Sequence, residues 1–284
     1  MPKQRTARRF CPCRPPRGCE GLGKLAFPCH HEPLCRCEAA HNEPLVRKLS
    51  GFTDLSETEV AALCHATGRA REFRARHDII REGDKPGPVF VMLEGWAFRY
   101  KILADGNRQI MAFLMPGDCS NLNIAMLDEM DHSVQTACRA RVAAIPRAEI
   151  TALVADHPGI ARALSLAQLT DEATLRAWII CMGRRGTVAR VAHLLCELYL
   201  RARLTGLNDG HGLDLPVSQI VLADSLGMTP VHFSRVLRKL RDVKLVTLTR
   251  GSLTSSPWSM LSASSSAACP CASGGPPWLI GGLL

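Results

Sequence analysis

Apolar positions along this chain switch between a helical and a strand period, and the switches divide it. From Asn42 to Ala70 the segments PLVRKL and LSETEVAALCHAT carry apolar residues at helical spacing, and Ser56 with Glu59 three residues on forms a capping box. A helical lead-in is predicted. From Glu72 to about Arg147 the runs VFVML, WAFRYKI and IMAFLM are separated by turn signals at Glu82–Asp84, Glu94–Gly95, Ala104–Gly106 and Pro116–Asp118. Strands this closely spaced predict a small antiparallel barrel or jelly roll. From Arg147 to Arg185 the pattern is helical again. On the long stretch from His157, Leu164, Leu166, Leu169, Leu175, Trp178, Ile179 and Met182 recur mostly three and four apart. That stripe needs a partner, either its own barrel or a second copy of the chain.

The strongest local pattern is SQIVLADSLGMTPVHFSRVLRKL, Ser218 to Leu240. Ser218 can cap a short first helix bearing Ile220, Leu222 and Ala223, with Gln219 at its start, and Gly227 supplies a tight turn. Thr229 caps a second helix that has Pro230 at its first position, where a missing N–H costs nothing. On this helix Phe233, Val236, Leu237 and Leu240 fall at core-facing spacings, leaving Val231, His232, Ser234, Arg235, Arg238 and Lys239 on or near the outward face. Two helices joined by a glycine turn, the second with a basic outer face, predict a helix-turn-helix that enters the DNA major groove, with Ser218, Gln219, Thr229 and Pro230 at the helix starts as candidate DNA contacts beside that outer face. Arg235 is the candidate for base readout, because a guanidinium can donate to both O6 and N7 of guanine; Arg238 and Lys239 suit phosphates. After it, KLVTLTRGSLT reads as a two-stranded wing turning at Arg250-Gly251, and an arginine at a wing tip suits the backbone or minor groove.

Charge agrees with this placement. The formal net charge is +9, and residues 1–37 hold 8 Lys/Arg against 2 Asp/Glu while residues 184–253 hold 11 against 5, so the middle of the chain is net acidic. A basic C-terminal module on an acidic or neutral body fits DNA binding better than a uniformly basic surface would. No apolar run reaches 18 residues and no apolar h-region follows the basic start, so neither a membrane span nor a secretory signal is indicated and a cytoplasmic location is expected. The 13 cysteines then point to thiols, a metal or a cluster rather than structural disulfides. Residues 1–40, rich in Pro, Arg and Cys, read as a disordered leader, and residues 254–284 as a disordered tail. The composition breaks at about Leu253, inside a hairpin, as a frameshift would produce, so both ends are expected to be non-native coding sequence. Between them the expected order is a sensor roll over 41–156, a dimerisation helix over 157–185 and a winged helix-turn-helix over 186–253, an α+β protein overall.

Three features together resemble the Crp/Fnr family of bacterial regulators: EGD followed by VFVMLEGWAFRYK and PGD, then WIICMGRRGTVARVAHLLCELYLRA, then LADSLGMTPVHFSRVLRKL. The resemblance covers about residues 40–253. It implies a homodimer whose long helices pair and whose recognition helices enter successive major grooves about 34 Å apart. It also implies RNA polymerase as a partner and a base contact by the arginine at the position of Arg235.

The sensor departs from the cyclic-nucleotide-binding pattern. Those members carry a Gly-Glu pair for the ribose and Arg-Ser for the cyclic phosphate. Here Asn121 and Leu122 stand in place of Gly-Glu, downstream of Cys119, and His132 precedes Ser133 in place of the arginine. Leu122 cannot accept a hydrogen bond and a histidine is largely neutral at pH 7, so cyclic-nucleotide binding is not expected and the effector stays unidentified. His132 and Ser133 read as ordinary loop residues. An iron-sulfur centre held by Cys29, Cys35, Cys37 and Cys119 is an alternative, although Cys35-Arg-Cys37 lacks the usual two-residue separation. A cyclic-nucleotide-binding module attached to another activity is a further class, opposed by the 218–240 motif. Against an enzyme, the sequence has no phosphate-binding Gly-rich loop, no Gly-x-Ser-x-Gly elbow and no His-Glu-x-x-His.

Overall fold

The computed structural model describes residues 40–120, 122, 128–207, 212–249 and 252–254. The lead-in forms two helices, α1 (Pro44–Ser50) and α2 (Glu57–Thr67). The capping box at the start of α2 is present: the Ser56 side chain accepts from the Glu59 N–H at 3.3 Å, and Glu59 accepts from the Ser56 N–H at 2.8 Å. Glu59 also accepts from the Ile160 N–H at 3.3 Å, so one carboxylate caps two helix starts.

Eight strands follow: β1 (Ala70–Phe73), β2 (Asp78–Ile80), β3 (Val89–Glu94), β4 (Ala97–Ile102), β5 (Arg108–Leu114), β6 (Cys119–Ser120), β7 (Ser133–Thr136) and β8 (Ala140–Ile145). They form two four-stranded sheets, ordered β1-β8-β3-β6 and β2-β7-β4-β5, with every pairing antiparallel. This is the expected jelly-roll-like roll. Its interior divides in two. One cluster, with Ile80, Met92, Leu114, Val134 and Val142, lies between the sheets. Another joins Val89, Val91 and Ile145 to Leu45, Leu49 and Leu63 of the lead-in helices and to Ile160 and Leu164.

The helical stretch beyond the roll is interrupted. It forms α3 (Arg147–Asp156) and α4 (Pro158–Arg184), broken at His157, whose backbone (φ −130°, ψ 89°) is pushed out of the helical region by the following proline. The apolar stripe on α4 splits between two directions. Leu164 and Trp178 are buried against the chain's own body, whereas Leu169, Leu175, Ile179 and Ile180 are exposed, Ile179 by 72%.

The C-terminal part comprises α5 (Thr187–Leu204), β9 (Leu213–Asp214), α6 (Gln219–Ser225), α7 (Pro230–Asp242), β10 (Thr247–Thr249) and β11 (Ser252–Thr254). The last strands form a wing in the order β10-β11-β9, and Leu253, at the point where the composition breaks, is fully buried opposite Leu213 and Leu248. Residues 1–39 and 255–284 lie outside the described residues, and with them nearly all of the expected leader and tail.

Candidate nucleic-acid interface

The local rules that predicted the two-helix unit are met atom by atom. The Ser218 side chain accepts from the Val221 N–H at 3.3 Å to open α6, and the Thr229 side chain accepts from the His232 N–H at 3.2 Å to open α7, with Pro230 next. Gly227 between them sits at φ +60°, the left-handed region that favours glycine. Phe233, Val236, Leu237 and Leu240 are buried on Leu222, Ala223 and Leu226. That burial fixes which side of α7 faces out: Val231, Ser234, Arg235, Arg238 and Lys239 are exposed and His232 is half-buried. One contact was not legible in the sequence. The Ser234 hydroxyl donates to Gln219 Oε1 at 2.8 Å and so ties α7 to α6 across their outer edge. Arg250, the expected wing-tip residue, lies outside the described residues.

The unit is held against the roll by contacts that local sequence does not signal. Arg108 on β5 donates from Nε and Nη2 to Asp224 Oδ2 on α6, at 3.0 and 2.6 Å, and its guanidinium stacks over Phe98 at 5.1 Å from the ring centre. Gln109 adds a 3.3 Å bond to the Ser225 carbonyl. A second tie is buried. Asp118, in the Pro-Gly-Asp turn after β5, is paired at 2.5 Å with Lys48 of α1 and at 2.7 Å with Arg201 of α5, and it accepts from the Met115 N–H at 2.7 Å. Arg201 also meets Glu197 at 3.2 Å and the Phe113 carbonyl at 2.9 Å, and the indole N–H of Trp178 on α4 donates to Glu197. Burial alone would raise the Asp118 carboxyl, but the two cations beside it win and hold it down at about 2. Gly117 (φ +92°) permits the turn, since a Cβ there would stand 2.6 Å from the Pro44 carbonyl oxygen. The sequence marked this turn only as a turn.

Leu122 is half-buried against the apolar cluster under α1, and Asn121 lies outside the described residues. His132 lies in a bend and Ser133, read from sequence as a loop residue, opens β7; both are buried. The Ser133 hydroxyl already accepts from the Glu82 N–H at 3.0 Å. His132 Nδ1 lies 2.6 Å from the Asp131 carboxylate and its Nε2 is buried without a partner. Burial lowers its pKa in spite of Asp131, and the positive charges of Arg99 and Lys101 add to the effect. Two cavities between the roll and α4, lined in part by Arg99, Asp171 and Trp178 and by Lys48, Cys119 and Gln168, have volumes of about 20 and 10 Å³, room for about one water each. Among the described residues, Leu122 offers no hydrogen-bond acceptor to a ribose.

The Cys119 thiol is buried and pushed up to about 12, mainly by desolvation. Among the described residues no His, Cys, Asp or Glu group of three has metal-holding geometry, and Cys29, Cys35 and Cys37 lie outside them. No helix among the described residues is long and apolar enough to cross a membrane.

Comparison with known proteins agrees with this architecture. The cyclic nucleotide-binding domain family matches residues 70–157, and the Crp-like helix-turn-helix domain family matches residues 189–262. The chain is 30% identical to the transcriptional activatory protein AadR of Rhodopseudomonas palustris, over 66% of this chain and 82% of that one. It is 27% identical to the nitrogen fixation regulation protein FixK of Bradyrhizobium diazoefficiens, over 74% of this chain and 86% of that one. The solved structure of FixK2 from Bradyrhizobium japonicum superposes with a TM-score of 0.60 at 23% identity, covering 68% of this chain and 94% of that one, and thus shares the fold. With a roll, a long helix and a winged helix-turn-helix in this order, the chain belongs to the Crp/Fnr family of DNA-binding transcription regulators.

Proposed function

We propose that the chain works as a cytoplasmic homodimer that recognises a two-fold-related DNA site and acts on transcription through RNA polymerase, under an effector that is not a cyclic nucleotide. The observation that carries DNA recognition is the outward face of α7. A buried apolar side fixes the helix, and Arg235, Arg238 and Lys239 are left exposed on the other side. Arg235 donates to a guanine edge; Arg238, Lys239 and the wing-tip Arg250 meet phosphates; Ser218 and Gln219 approach the backbone at the start of α6. Thr229 and Pro230 set the entry of α7 rather than read bases.

The second copy is supported by α4. Leu169, Leu175, Ile179 and Ile180 are exposed apolar side chains on a 27-residue helix, more than a solvated helix face normally carries. Pairing two such helices would cover them and set two α7 helices one DNA turn apart. Ile179→Asp is then expected to turn a dimer into a monomer by sedimentation, and to weaken operator binding with it.

The effector acts by shifting a balance between two arrangements of the roll on the helix-turn-helix, with the Asp224 and Asp118 contacts as the parts that rearrange. The names of the relatives support activation more than repression.

Selection of bound DNA from a random pool by the full chain, with and without air, tests the reading. A two-fold-related motif is expected, and its absence from both preparations would sink the proposal. On the motif obtained, Arg235→Ala should cost about 1–3 kcal/mol of discrimination at one base pair. Lys239→Ala should weaken all sequences alike and reduce the salt slope by about one. Equal behaviour of the two variants contradicts the roles assigned.

A further inference from the structure

We propose that the cleft between the outer stripe of α2 and the chain entering α1 is the effector site, and that it takes an uncharged amphiphile: an aliphatic or aromatic body with a hydroxyl or N–H end. The inference rests on the reading of the chain as an effector-governed DNA-binding regulator and adds to it a place and a ligand class.

The cleft has a volume of about 460 Å³. Five of its lining residues, Glu57, Val60, Ala61, Cys64 and His65, recur three and four apart and so form one stripe along α2, while Ala40 and His41 face them from the other wall. The cavities between the roll and α4 hold about one water each, whereas small-molecule sites measure about 300–1,000 Å³. This cleft is of ligand size.

Its lining selects the chemistry. Ala40, Val60 and Ala61 supply apolar surface, and the Cys64 thiol, which donates to the Ala40 carbonyl at 3.7 Å and is pushed up by burial, is a protonated part of that wall rather than a nucleophile. Among the described residues no lysine or arginine lines the cleft, and Glu57 repels a phosphate or carboxylate. The exposed Glu57 carboxylate accepts from a hydroxyl or N–H instead, and the rings of His41 and His65 add hydrogen-bonding partners at the same rim.

The cleft also has a short route to the dimer helix. Val60 lines it and is at the same time 4% exposed, within the cluster that holds Ile160 and Leu164 of α4. The neighbouring Glu59 accepts from the Ile160 N–H at 3.3 Å, and no Cβ fits at Gly159 against the Glu59 carboxylate, so the start of α4 rests directly on α2. A ligand that shifts α2 therefore bears on α4 and on the spacing of the paired α7 helices.

The test uses the full chain, its selected DNA site and N-phenyl-1-naphthylamine, an uncharged aromatic probe with one N–H whose fluorescence rises in apolar surroundings. Saturable uptake by wild type is expected. Ala61 is exposed, so Ala61→Trp fills the cleft from the solvent side and leaves the core alone; it should weaken uptake by about ten-fold or more while DNA is still bound. Saturating probe should change the affinity of wild type for its DNA site by about five-fold or more, and DNA should change probe affinity by the same factor. Absence of saturable uptake, uptake unaltered in Ala61→Trp, or DNA affinity indifferent to bound probe overturns this inference alone. A chain that takes up the probe in the cleft yet selects no DNA overturns the regulator reading beneath it.

Discussion

Asp118→Ala is expected to lower the free energy of unfolding by about 3–5 kcal/mol, because it leaves two cations buried without their shared carboxylate. Asp118 is 4% exposed, and its partners Lys48 and Arg201 have side chains only 15% and 21% exposed. An exposed ion pair would be worth well under 1 kcal/mol. This one is expensive to break because Nζ of Lys48 and Nη2 of Arg201 cannot recover full hydration where they stand. The check is chemical denaturation of the variant and of the double variant Asp118→Ala/Lys48→Met, since Arg201 keeps Glu197 while Lys48 loses its carboxylate. Removing that cation should restore part of the loss, a non-additivity that defines the coupling. A loss below about 1 kcal/mol with additive effects would show the cluster to be solvated. The same geometry sets an acid limit. With a carboxyl held at about 2 in the fold against an ordinary 3.8, the contribution of Asp118 is intact above about pH 4 and is lost as pH falls towards 2.

His193→Leu is expected to stabilise the protein and to remove a second acid sensitivity at higher pH. His193 on α5 is 2% exposed, and both of its ring nitrogens are buried without a hydrogen-bond partner. Burial, with the positive charge of Arg185 nearby, brings its pKa down from 6.5 to about 4. The unfolded chain therefore binds a proton at a pH where the folded chain refuses it. Stability from this site is whole above pH 6.5 and falls as pH drops to 4, by about 3 kcal/mol in all. The advantage of His193→Leu over wild type should thus grow by about that amount between pH 7 and pH 4 in parallel denaturation curves. A constant difference across that range would mean that the imidazole already has a partner for its proton. The His193 and Asp118 windows are successive, so the two effects can be separated in one titration.

The helix-turn-helix was legible in the sequence to the level of individual caps. Ser218, Thr229, Pro230 and Gly227 act within three or four residues of themselves, through a side chain on a nearby N–H, a fixed φ or a tolerated positive φ. The sidedness of α7 was legible for the same reason, since the 3.6-residue period alone puts Phe233, Val236, Leu237 and Leu240 on one side. The roll was legible as a class from its runs and turns. The pairing order β1-β8-β3-β6 and β2-β7-β4-β5 was not, because strands many residues apart are matched by global packing.

On α4 the stripe was visible, but its division was not. Periodicity treats Leu164, Trp178, Leu169 and Ile179 alike, and only the placement of the roll buries the first two and leaves the others exposed. At the effector positions the residue types alone argued against a cyclic nucleotide. The structure adds that His132 is buried beside Asp131.

Local chemistry, then, determined by sequence alone where the helices begin, which face of the reading helix is free, and which family the chain resembles. Only the tertiary structure decided how the reading unit is joined to the sensor. Arg108 and Asp224 are 116 residues apart, Asp118 lies 70 residues from Lys48 and 83 from Arg201, and nothing in their neighbourhoods distinguishes them from ordinary surface charges. Their importance comes from desolvation, and a side chain loses its water only when the whole chain has folded around it.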